Sequence, residues 1–438
     1  MRFLGLDLGT TSFKGTVLDL ERGTVSHIRR LPTPNPVSGL PAGHHELDPS
    51  AVLIAVRSLA GDLLTDAPDA SGLVLCSQMH CVVLTDPDGR PRSHIITWKD
   101  QRGVDTVQGL RRIVSDEEQR QIGRELRVGI PVTTLSWLRS EQRWQEGLVP
   151  ASLPDFVLSQ LCGVEPTTES TNAAAHGLFH LERGNWHLDL IEKLGLSDLR
   201  WPRVRAFGDV VGIADIHGHR LTCFTPVGDQ QCALAGAEFR PGELSINIST
   251  GSQVSLLSGE PGDGDYQVRP YFDRQWLRTI VQVPAGRSLA LLVRLLTEIT
   301  GPATDPWEYI SAATERVETT DLEVDLAFFA SSFGDRGRID NIREENLTVG
   351  DLFVAAFRWM AKNYRQCAEQ LSPKSAWDRV VFSGGLAQRF ERLRREVLSR
   401  LGGPPSRVSE TEEETLRGLL ILAKKIIAAR PVNSAAVE

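Results

Sequence analysis

Two predicted β-hairpins, one at the N-terminus and one past the middle, constrain the fold of this chain most strongly. The first joins an apolar strand at Arg2–Leu8 to a second strand at Phe13–Asp19. The other joins Leu244–Ile248 to Val254–Leu257. In both halves of the chain the strands are followed by segments with helical periodicity, and both hairpins have a turn rich in hydroxyl groups. This repeated order of strands and then helices predicts two α/β domains.

The length is compatible with this division, because 438 residues suffice for two domains of ~150 residues or more. We place the boundary so that the domains are 1–224 and 225–438. Further strands are predicted at Thr24–Leu31, Leu73–Cys76, Gln275–Val283 and Arg379–Phe382, with a hairpin-like pair at Val82–Thr85 and His94–Trp98. Helices are predicted at Asp48–Thr65, Gly103–Val114, Glu117–Glu125, Thr134–Gln145, Pro154–Leu161, Leu289–Thr300, Trp307–Val317, Val349–Leu371, Phe390–Leu401 and Glu412–Ala429, before a frayed tail.

Charge and cysteine usage exclude several classes of protein. A net charge of -8 and a pI near 5.8 argue against a protein that binds nucleic acid or a membrane surface through charge alone. No stretch approaches the ~20 apolar residues of a membrane span, and the N-terminus shows no signal-peptide pattern. The six cysteines are scattered without a Cys-x-x-Cys pair, which is typical of reduced thiols. We expect a cytoplasmic protein with no nucleic-acid or membrane partner.

The turn of the first hairpin carries the strongest local signal. Its backbone N–H groups and the hydroxyls of Thr10, Thr11 and Ser12 form a concavity suited to phosphate oxygens. Lys14 adds a positive charge, and Asp7, at the end of a buried strand, needs a cation or a hydrogen-bond donor. The alternative is a hairpin with its polar turn in solvent, and we favour phosphate binding. Neither the Walker P-loop nor the Rossmann glycine pattern occurs, so those nucleotide-binding folds are excluded.

Two turns in the second half extend this interpretation to a nucleotide. Thr250 and Gly251 lie in the second hydroxyl-rich turn, which alone is weak evidence because most such turns are only turns. Paired with the first turn, it supplies what is needed to grip a triphosphate between two domains. Gly384, Gly385 and Gln388 follow a strand and open a helix, the edge at which open α/β sheets bind ligands. Glycines there admit a flat ligand such as adenine, and the alternative is a plain strand-to-helix turn.

Asp229 occupies the position of a helix N-cap, after Pro226 and Gly228 and before a helix of small residues. Backbone N–H groups and the positive end of the helix dipole should keep its carboxylate ionised. Such a carboxylate can orient a hydroxyl for attack on a phosphoryl group, since this transfer needs positioning more than a strong base. A plain helix cap is the alternative interpretation.

Polar residues at two strand ends of the first half are typical of a polyol site. Trp98 offers a flat face for a sugar ring, while Gln78, His80, Asp100 and Arg102 offer directional hydrogen bonds. The alternatives are a satisfied core histidine at His80 and a surface ion pair at Asp100–Arg102. A metal site is not favoured, because His44–Glu46 lacks a second ligand pair and Cys76, His80 and Cys81 lack a fourth ligand at zinc spacing.

Taken together, these residues resemble the FGGY carbohydrate kinases of the actin/hexokinase/Hsp70 ATPase superfamily. The resemblance runs nearly end to end, in order, through Asp7–Lys14, Ser77–His80, Trp98–Arg102, Gly228–Asp229, Ser249–Ser252 and Ser383–Gly385. It implies two RNase H-like α/β domains flanking a cleft, the first with the sugar site and the second with the catalytic base and the adenosine loop. By this likeness Asp229 is the catalytic base, and Asp7 and Asp229 surround Mg²⁺. The sugar pocket would be lined by Met79, His80, Trp98, Asp100 and Arg102.

Within the family, the resemblance is to sedoheptulokinases. It rests on Ser93–Asp100, Asp155–Phe156, Leu161–Gly163, Asn172–Ala174, Trp186, Asn247–Thr250 and Pro270–Arg274. It adds Asn172 to the predicted sugar-binding residues. Xylulokinases share the Gln-Met-His and Trp-x-Asp-x-Arg elements, so a pentulose kinase is the alternative. The chain departs from the family at Gln388–Arg389 and in its final helix, which favours a third alternative, a non-catalytic member that binds sugar or nucleotide.

The sequence therefore predicts an ATP-dependent sugar kinase. The terminal hydroxyl of a ketose, with sedoheptulose favoured, would attack the γ-phosphoryl group of MgATP. The resemblance implies ATP and Mg²⁺ as cofactors and a monomer or homodimer. Intact Asp7 and Asp229 weigh against the non-catalytic alternative.

Overall fold

The computed structural model describes residues 1–298, 305–329, 331–409, 411 and 413–430. Two compact units make up the chain. Unit 1 consists of Met1–Glu238, Arg269–Arg274 and the described part of Glu413–Glu438, and unit 2 consists of Phe239–Val268 and the described part of Gln275–Glu412. Among the described residues, no helix is both long and apolar enough to cross a membrane. All six cysteines lie in the described ranges as free thiols.

The described strands, in chain order, are β1 (Arg2–Leu8), β2 (Ser12–Asp19), β3 (Thr24–Pro32), β4 (Glu46–Leu47), β5 (Gly72–Ser77), β6 (Val83–Thr85), β7 (Ile95–Ile96), β8 (Val149–Ala151), β9 (Thr167–Glu169), β10 (Phe179–His180), β11 (Asn185–Trp186), β12 (Arg203–Arg205), β13 (Val210–Ile216), β14 (His219–Phe224), β15 (Val227–Gly228), β16 (Glu243–Ile248), β17 (Ser252–Ser258), β18 (Gln267–Pro270), β19 (Trp276–Val283), β20 (Glu323–Asp325), β21 (Arg338–Asp340), β22 (Arg379–Ser383) and β23 (Ser406–Val408).

The described helices are α1 (Pro49–Asp66), α2 (Val104–Ile113), α3 (Asp116–Gln121), α4 (Pro131–Ser140), α5 (Leu153–Cys162), α6 (Ser170–Ala174), α7 (Leu188–Lys193), α8 (Asp229–Gly236), α9 (Gly286–Thr297), α10 (Pro306–Glu315), α11 (Val349–Leu371), α12 (Gly385–Arg389), α13 (Glu391–Arg400) and α14 (Glu414–Ala428). Short 3-10 helices span Phe272–Arg274 and Glu344–Asn346. The bounds predicted for α11 agree with the structure. Residues 299–300, 412 and 431–438, where two predicted helix ends and the predicted frayed tail fall, lie outside the described residues.

The main sheet of unit 1 is mixed. Its strand order is β13-β14-β5-β1-β2-β3, and β15 also pairs with β5. Strands β1, β2 and β3 form an antiparallel meander, which confirms the predicted first hairpin. Strand β5 is parallel to β1, and β14 and β15 are both parallel to β5. The parallel strands therefore end at one common edge of the sheet.

Alternating side chains bury both faces of this sheet. Leu4, Leu6 and Leu8 of β1 pack into a cluster with residues of α1 and α5. Phe3, on the opposite face, belongs to a second cluster with residues of α8 and α14, including Leu419. Since side chains of a strand alternate between faces, Asp7 lies on the face covered by α8 and α14.

This packing explains why the two units do not divide at the predicted boundary after residue 224. Helix α8 and the C-terminal helix α14 supply the apolar cover of one face of the first sheet, so both belong to unit 1. The cover is tight, because a Cβ added to Gly236 of α8 would lie 1.8 Å from the backbone oxygen of Glu414. The predicted assignment of the sugar and nucleotide functions to 1–224 and 225–438 stays a prediction.

Unit 2 repeats the connectivity of unit 1. Its largest sheet has the order β18-β19-β17-β16-β22-β23. Strands β16, β17 and β19 form an antiparallel meander, β22 is parallel to β16, and β23 is parallel to β22. Helix α11 buries Phe353, Phe357 and Tyr364, and the Phe357 ring lies 5.1 Å from that of Phe390. The predicted second hairpin is confirmed.

Three local predictions were wrong in whole or in part. The helix expected at Thr134–Gln145 spans Pro131–Ser140, and Gln142 beyond its end has a left-handed φ of 53°. The helix expected at Glu117–Glu125 ends at Gln121, because Gly123 and Arg124 adopt left-handed conformations with φ of 69° and 55°. The hairpin-like pair expected between Val82–Thr85 and His94–Trp98 is reduced to isolated antiparallel bridges, Val82 with Ile96 and Thr85 with Pro91. Strand β6 pairs with β8 instead, and β7 pairs with β4.

Candidate active site

Three parallel strands of unit 1 end side by side and bring the predicted metal ligand Asp7 and the predicted base Asp229 to one edge of the sheet. Asp7 on β1 lies beside Cys76 on β5, which lies beside Val227 on β15. Asp229 follows β15 directly. Because neighbouring strands are ~4.8 Å apart, the backbones of Asp7 and Val227 are separated by roughly 10 Å, and Asp229 lies two residues beyond Val227. The charges of Asp7 and Asp229 interact, since Asp7 raises the pKa of Asp229.

Asp7 is held by groups from both ends of the chain. The hydroxyl of Thr415, the second residue of α14, donates a hydrogen bond of 2.6 Å to Asp7 Oδ2. Burial raises the pKa of Asp7, and the Thr415 hydrogen bond and the charge of Lys14 oppose this shift. Lys14 Nζ lies 3.9 Å from Asp7 Oδ2 and 2.8 Å from Glu413 Oε2. Lys14 is thus engaged by two carboxylates of its own unit, and its role toward phosphate stays a prediction.

Asp229 is the first residue of α8, and Gly228 is the N-cap, so the predicted N-cap position is one residue off. The backbone N–H of Gln230 donates 2.8 Å to Asp229 Oδ1. Burial and the charge of Asp7 nevertheless raise the pKa of Asp229 to about 7. Loss of water and the charge of Asp7 thus oppose the expected ionisation of Asp229, which the helix terminus and the backbone hydrogen bond favour.

The segment leading into α8 is pinned from α6. The side chain of Asn172 donates from Nδ2 to the Pro226 oxygen at 2.9 Å, and Thr171 Oγ1 accepts from the Gly228 N–H at 2.9 Å. A Cβ on Gly228 would lie 3.0 Å from Met79 Sδ, so a larger residue would push against this side chain. Asn172 is buried and fixes the backbone before the candidate base. Its contact with a sugar stays a prediction.

The first hydroxyl-rich turn and the predicted sugar residues are neighbours. Thr10 Oγ1 donates to Gln78 Oε1 at 3.2 Å and accepts from Trp98 Nε1 at 3.1 Å. The Trp98 side chain is exposed, and Thr11 is exposed at the tip of the turn. Ser12 is the first residue of β2. One hydroxyl therefore links the predicted phosphate turn to two predicted sugar-binding side chains.

Asp100 and Arg102 bind each other in the interior of unit 1. Asp100 accepts from the backbone N–H groups of His45 and Arg102, and its two oxygens accept from Arg102 Nε and Nη2 at 2.8 Å each. Arg102 also binds Glu46 and lies over the ring of Trp137, at 5.3 Å. Four hydrogen bonds fill the acceptor capacity of a carboxylate. A sugar hydroxyl would have to displace one of them, so the sugar contact of this pair stays a prediction.

His80 is fixed by two partners. Its Nδ1 lies 2.8 Å from the oxygen of Ala175, a group that only accepts, so Nδ1 carries the proton. Its Nε2 then accepts from Arg269 Nη2 at 3.3 Å. Burial lowers the pKa of His80 to about 3, which keeps the ring neutral. His80 also has a left-handed backbone, with φ of 63°.

Arg269 and Glu125 are buried residues of this region that the sequence did not point to. Arg269 Nε donates to Glu125 Oε1 at 2.6 Å, and Arg127 Nη2 donates to Glu125 Oε2 at 2.9 Å. Burial alone would raise the pKa of Glu125, but the two guanidinium groups outweigh it and lower this pKa. The sequence signal available for this cluster was the pair of charged residues, Glu125 and Arg127, on either side of the apolar Leu126. The sequence could not show that Arg269 contacts Glu125.

The predicted nucleotide turns of unit 2 also lie side by side. Asn247 at the end of β16 donates from Nδ2 to Ser383 Oγ on β22 at 2.9 Å. The turn 249–251 is held to the start of α9, because the N–H of Gly286 donates to the Ser249 oxygen at 3.1 Å. Thr250 and Gly251 are exposed at its tip.

The glycine turn after β22 depends on one of its two glycines. Gly384 has φ of 84°, and an added Cβ would lie 2.5 Å from the Ile248 oxygen. A Cβ on Gly385 would meet nothing within 4 Å. Gln388 Nε2 donates to the Ser409 oxygen at 2.9 Å. The structure thus explains Gly384 by the close approach of two backbones, while a contact with adenosine stays a prediction.

The carboxylates of unit 1 fit Mg²⁺ only in part. Among the described residues, no group of three or more His, Cys, Asp and Glu side chains could hold a metal ion. Asp7, which is buried, and Asp229, which is partly buried, supply two carboxylates at one sheet edge. Mg²⁺ commonly takes one or two carboxylates, with the other ligands coming from water and substrate phosphates. The pair therefore fits a metal that arrives with a nucleotide better than a metal held by protein alone.

Comparison with known proteins gives one family and one fold. Residues 2–236 match the N-terminal domain of the FGGY family of carbohydrate kinases. Over 445 residues the chain is 24% identical to a sedoheptulokinase of Mus musculus, covering 90% of this chain and 91% of that protein. It is 29% identical over 273 residues to a glycerol kinase of Marinomonas sp. (strain MWYL1), covering 59% of this chain and 55% of the relative.

Among solved structures, a gluconate kinase from Lactobacillus acidophilus superposes with a TM-score of 0.86 at 16% identity, covering 98% of this chain and 90% of that one. At this identity the likeness concerns the fold. It confirms the predicted fold class, two α/β domains of the actin/hexokinase type.

Proposed function

The chain belongs to the FGGY family of carbohydrate kinases and is a sugar phosphotransferase, and on that premise we propose that it phosphorylates the terminal hydroxyl of a ketose, with sedoheptulose as the substrate. ATP is the phosphate donor of this family. The observation that carries the proposal is the pair of carboxylates, Asp7 at the end of β1 and Asp229 just after β15, two parallel strands that both pair with β5. The sedoheptulokinase match supports the heptulose, because it extends over 90% of the chain.

Asp229 acts as the base in this proposal. A carboxylate with a pKa of about 7 accepts a proton near neutral pH better than an ordinary aspartate. The proton of the sugar hydroxyl passes to Asp229, the hydroxyl oxygen forms a bond to the γ-phosphorus, and the bond to the bridging oxygen breaks to release ADP. The transition state is loose, so Asp229 contributes mostly by orienting the hydroxyl.

Asp7, with Asp229, would hold Mg²⁺ carried by the nucleotide. When bound, Mg²⁺ offsets the negative charge that develops on the transferred phosphoryl group. Thr415 orients Asp7 through its hydrogen bond. Backbone N–H groups of the turns 9–11 and 249–251 would bind phosphate oxygens, each within its own unit. The free thiols are compatible with a cytoplasmic enzyme, and we place its activity there.

A substrate panel tests the proposal. ADP release from ATP and Mg²⁺ is measured with sedoheptulose, xylulose, ribulose, fructose and glycerol, and without sugar. We expect the largest kcat/KM for sedoheptulose and a loss of about 10³-fold in Asp229→Asn. A preference for xylulose would establish the pentulose kinase instead. ADP release that is the same with and without every sugar, or retained by Asp229→Asn, would refute the kinase mechanism.

A further inference from the structure

Arg269 is a buried cation that forms hydrogen bonds with several residues of the candidate site. Its guanidinium is 4% exposed. Nε donates to Glu125, Nη2 donates to His80, and Nη1 donates to Gln230 Oε1. These partners come from three separate segments of unit 1. Arg269 therefore connects a predicted sugar-binding residue with the neighbour of the candidate base.

His80 binds Arg269, a partner that the sequence does not predict. Both ring nitrogens are used inside the protein, Nδ1 by Ala175 and Nε2 by Arg269. A sugar hydroxyl cannot bind either nitrogen without replacing one of these contacts. The hydrogen bond from Arg269 therefore fixes the ring, and the ring fixes one end of the guanidinium.

Glu125 holds the opposite end of the guanidinium. It is fully buried, and its second oxygen is bound by Arg127. A buried carboxylate bound by two cations is rigid, because either partner could leave only at the cost of an unpaired buried charge. The planar fork of Arg269 thus has a fixed orientation from which Nη1 reaches Gln230.

We propose that Arg269, clamped by Glu125, is a positioning residue of the sugar site that sets the orientation of Gln230 and His80 beside Asp229. The inference rests on the proposed kinase function and names the device that orients its acceptor side. Arg269 acts through its neighbours and takes no part in bond making.

The test compares Arg269→Lys with a matched variant in unit 2. Lysine keeps the charge but cannot bind three partners in one plane. Arg407→Lys alters a similar fork, in which Arg407 Nε and Nη2 donate to Glu243 at 3.1 and 2.9 Å. Sedoheptulose affinity is measured by calorimetry without ATP, alongside KM for sugar, KM for ATP and melting temperature.

For Arg269→Lys we expect at least a tenfold loss of sugar affinity, an ATP KM within about twofold of wild type, and a melting temperature close to that of Arg407→Lys. In the double variant Arg269→Lys/Gln230→Ala, the loss of sugar affinity should be no greater than the larger of the two single-variant losses. The reason is that both substitutions remove the same interaction, between Arg269 and Gln230. An unchanged sugar affinity, equal changes in both KM values, or multiplied losses in the double variant would overturn the inference.

Two further measurements test the inference if Arg269→Lys does not fold or if the kinase activity is absent. If Arg269→Lys does not fold, Glu125→Asp withdraws the clamp by one methylene, and the same sugar-selective loss is expected, while its absence overturns the inference. Wild-type protein that binds the ketose without releasing ADP would refute the proposed function but leave the positioning role supported by the binding data. Wild-type protein that binds no sugar in the panel refutes both.

Discussion

The turns that follow β1 and β16 have the same length and topology but different charges beneath them. Each turn contains three residues, and each follows a strand that is flanked by an antiparallel and a parallel neighbour. The penultimate residue of β1 is Asp7, whereas the penultimate residue of β16 is Asn247. Each contacts the strand beside it, Asp7 through Cys76 and Asn247 through Ser383. One scaffold therefore presents a carboxylate in unit 1 and a neutral amide in unit 2.

The residue beneath each turn determines which kind of ion the turn is suited to bind. A buried carboxylate beside a second one calls for a cation, so the end of β1 suits a metal ion. A neutral amide below exposed N–H and hydroxyl groups leaves the second turn free of repulsion for an anion. We expect metal binding to depend on the turn of unit 1. We expect phosphate binding to depend on the turn of each unit.

Removing the carboxylate from the first turn should have the largest effect. Asp7→Asn makes the end of β1 resemble that of β16, and we expect kcat to fall about 100-fold or more, roughly 3 kcal/mol. The Mg²⁺ concentration for half-maximal activity should rise as well. Asp69→Asn is the control, since Asp69 is an exposed carboxylate paired with Arg2. Normal activity and Mg²⁺ dependence in Asp7→Asn would show that the two turns do not differ in function.

The glycine turn of unit 2 offers a matched pair of substitutions. Gly384→Ala places a Cβ against the Ile248 oxygen at a φ of 84°, so we expect unfolding free energy of unit 2 to fall by about 2–3 kcal/mol. Gly385→Ala meets no atom within 4 Å and should change it by less than about 0.5 kcal/mol. Urea unfolding followed by tryptophan fluorescence measures both. Equal losses in the two variants would contradict the close-approach explanation.

Buried carboxylates without a cation should make the stability of unit 1 sensitive to pH. Burial raises the pKa of Asp155 to about 7, from 3.8 in an unfolded chain. The folded state holds this proton up to about pH 7, so its stabilising contribution is present at acid pH and is lost as the pH rises from about 4 to 7.

Asp155→Asn removes that titration. Relative to wild type, we expect the variant to gain about 2 kcal/mol of unfolding free energy between pH 5 and pH 7. In unit 2 the buried Glu243 is paired with Arg407, so Glu243→Gln is the contrasting variant. Unfolding free energies are measured at both pH values. If the unfolding free energies of wild type and Asp155→Asn change with pH in parallel, the raised pKa of Asp155 does not contribute to stability.

The smallest effect is expected from adding charge to the second turn. Asn247→Asp copies the residue of β1 into β16, and a charge near bound phosphate should raise the KM for ATP about tenfold, ~1.4 kcal/mol. Asn247→Ala, which stays neutral, should raise it by less than about threefold. Steady-state kinetics at two ionic strengths would separate the charge from the lost hydrogen bond. If both variants raise the KM for ATP equally, the charge at residue 247 does not affect nucleotide binding.

Local sequence patterns were enough for many elements of the fold, although β13 and β14 of the main sheet were not predicted. Helix α1 begins as expected, with Asp48 accepting from the Ser50 N–H and Pro49 in the first turn. The apolar strands and hydroxyl-rich turns of both hairpins were also found, since alternation and turn chemistry are properties of neighbours in sequence. The early end of α3 was missed although Gly123 is a residue type that commonly ends helices; the left-handed Arg124 beside it has no such signal.

Partners of the candidate site are distant in sequence and could not be predicted. Thr415 and Asp7 are 408 residues apart, and Arg269 and Glu125 are 144 apart. The pKa of Asp229 also belongs to the tertiary structure, because burial and Asp7 raise it against the helix terminus that the sequence indicated.

Local residue types were sufficient to predict the family, the repeated strand-and-helix order, a carboxylate at a strand end (Asp7) and a carboxylate at a helix start (Asp229). The folded structure was needed to find which groups surround those carboxylates, that Asp100 and Arg102 satisfy each other, and that Arg269 holds His80 and Gln230. The reason is physical: burial sets both the strength of a charge and the set of its partners, and burial exists only after distant segments have packed.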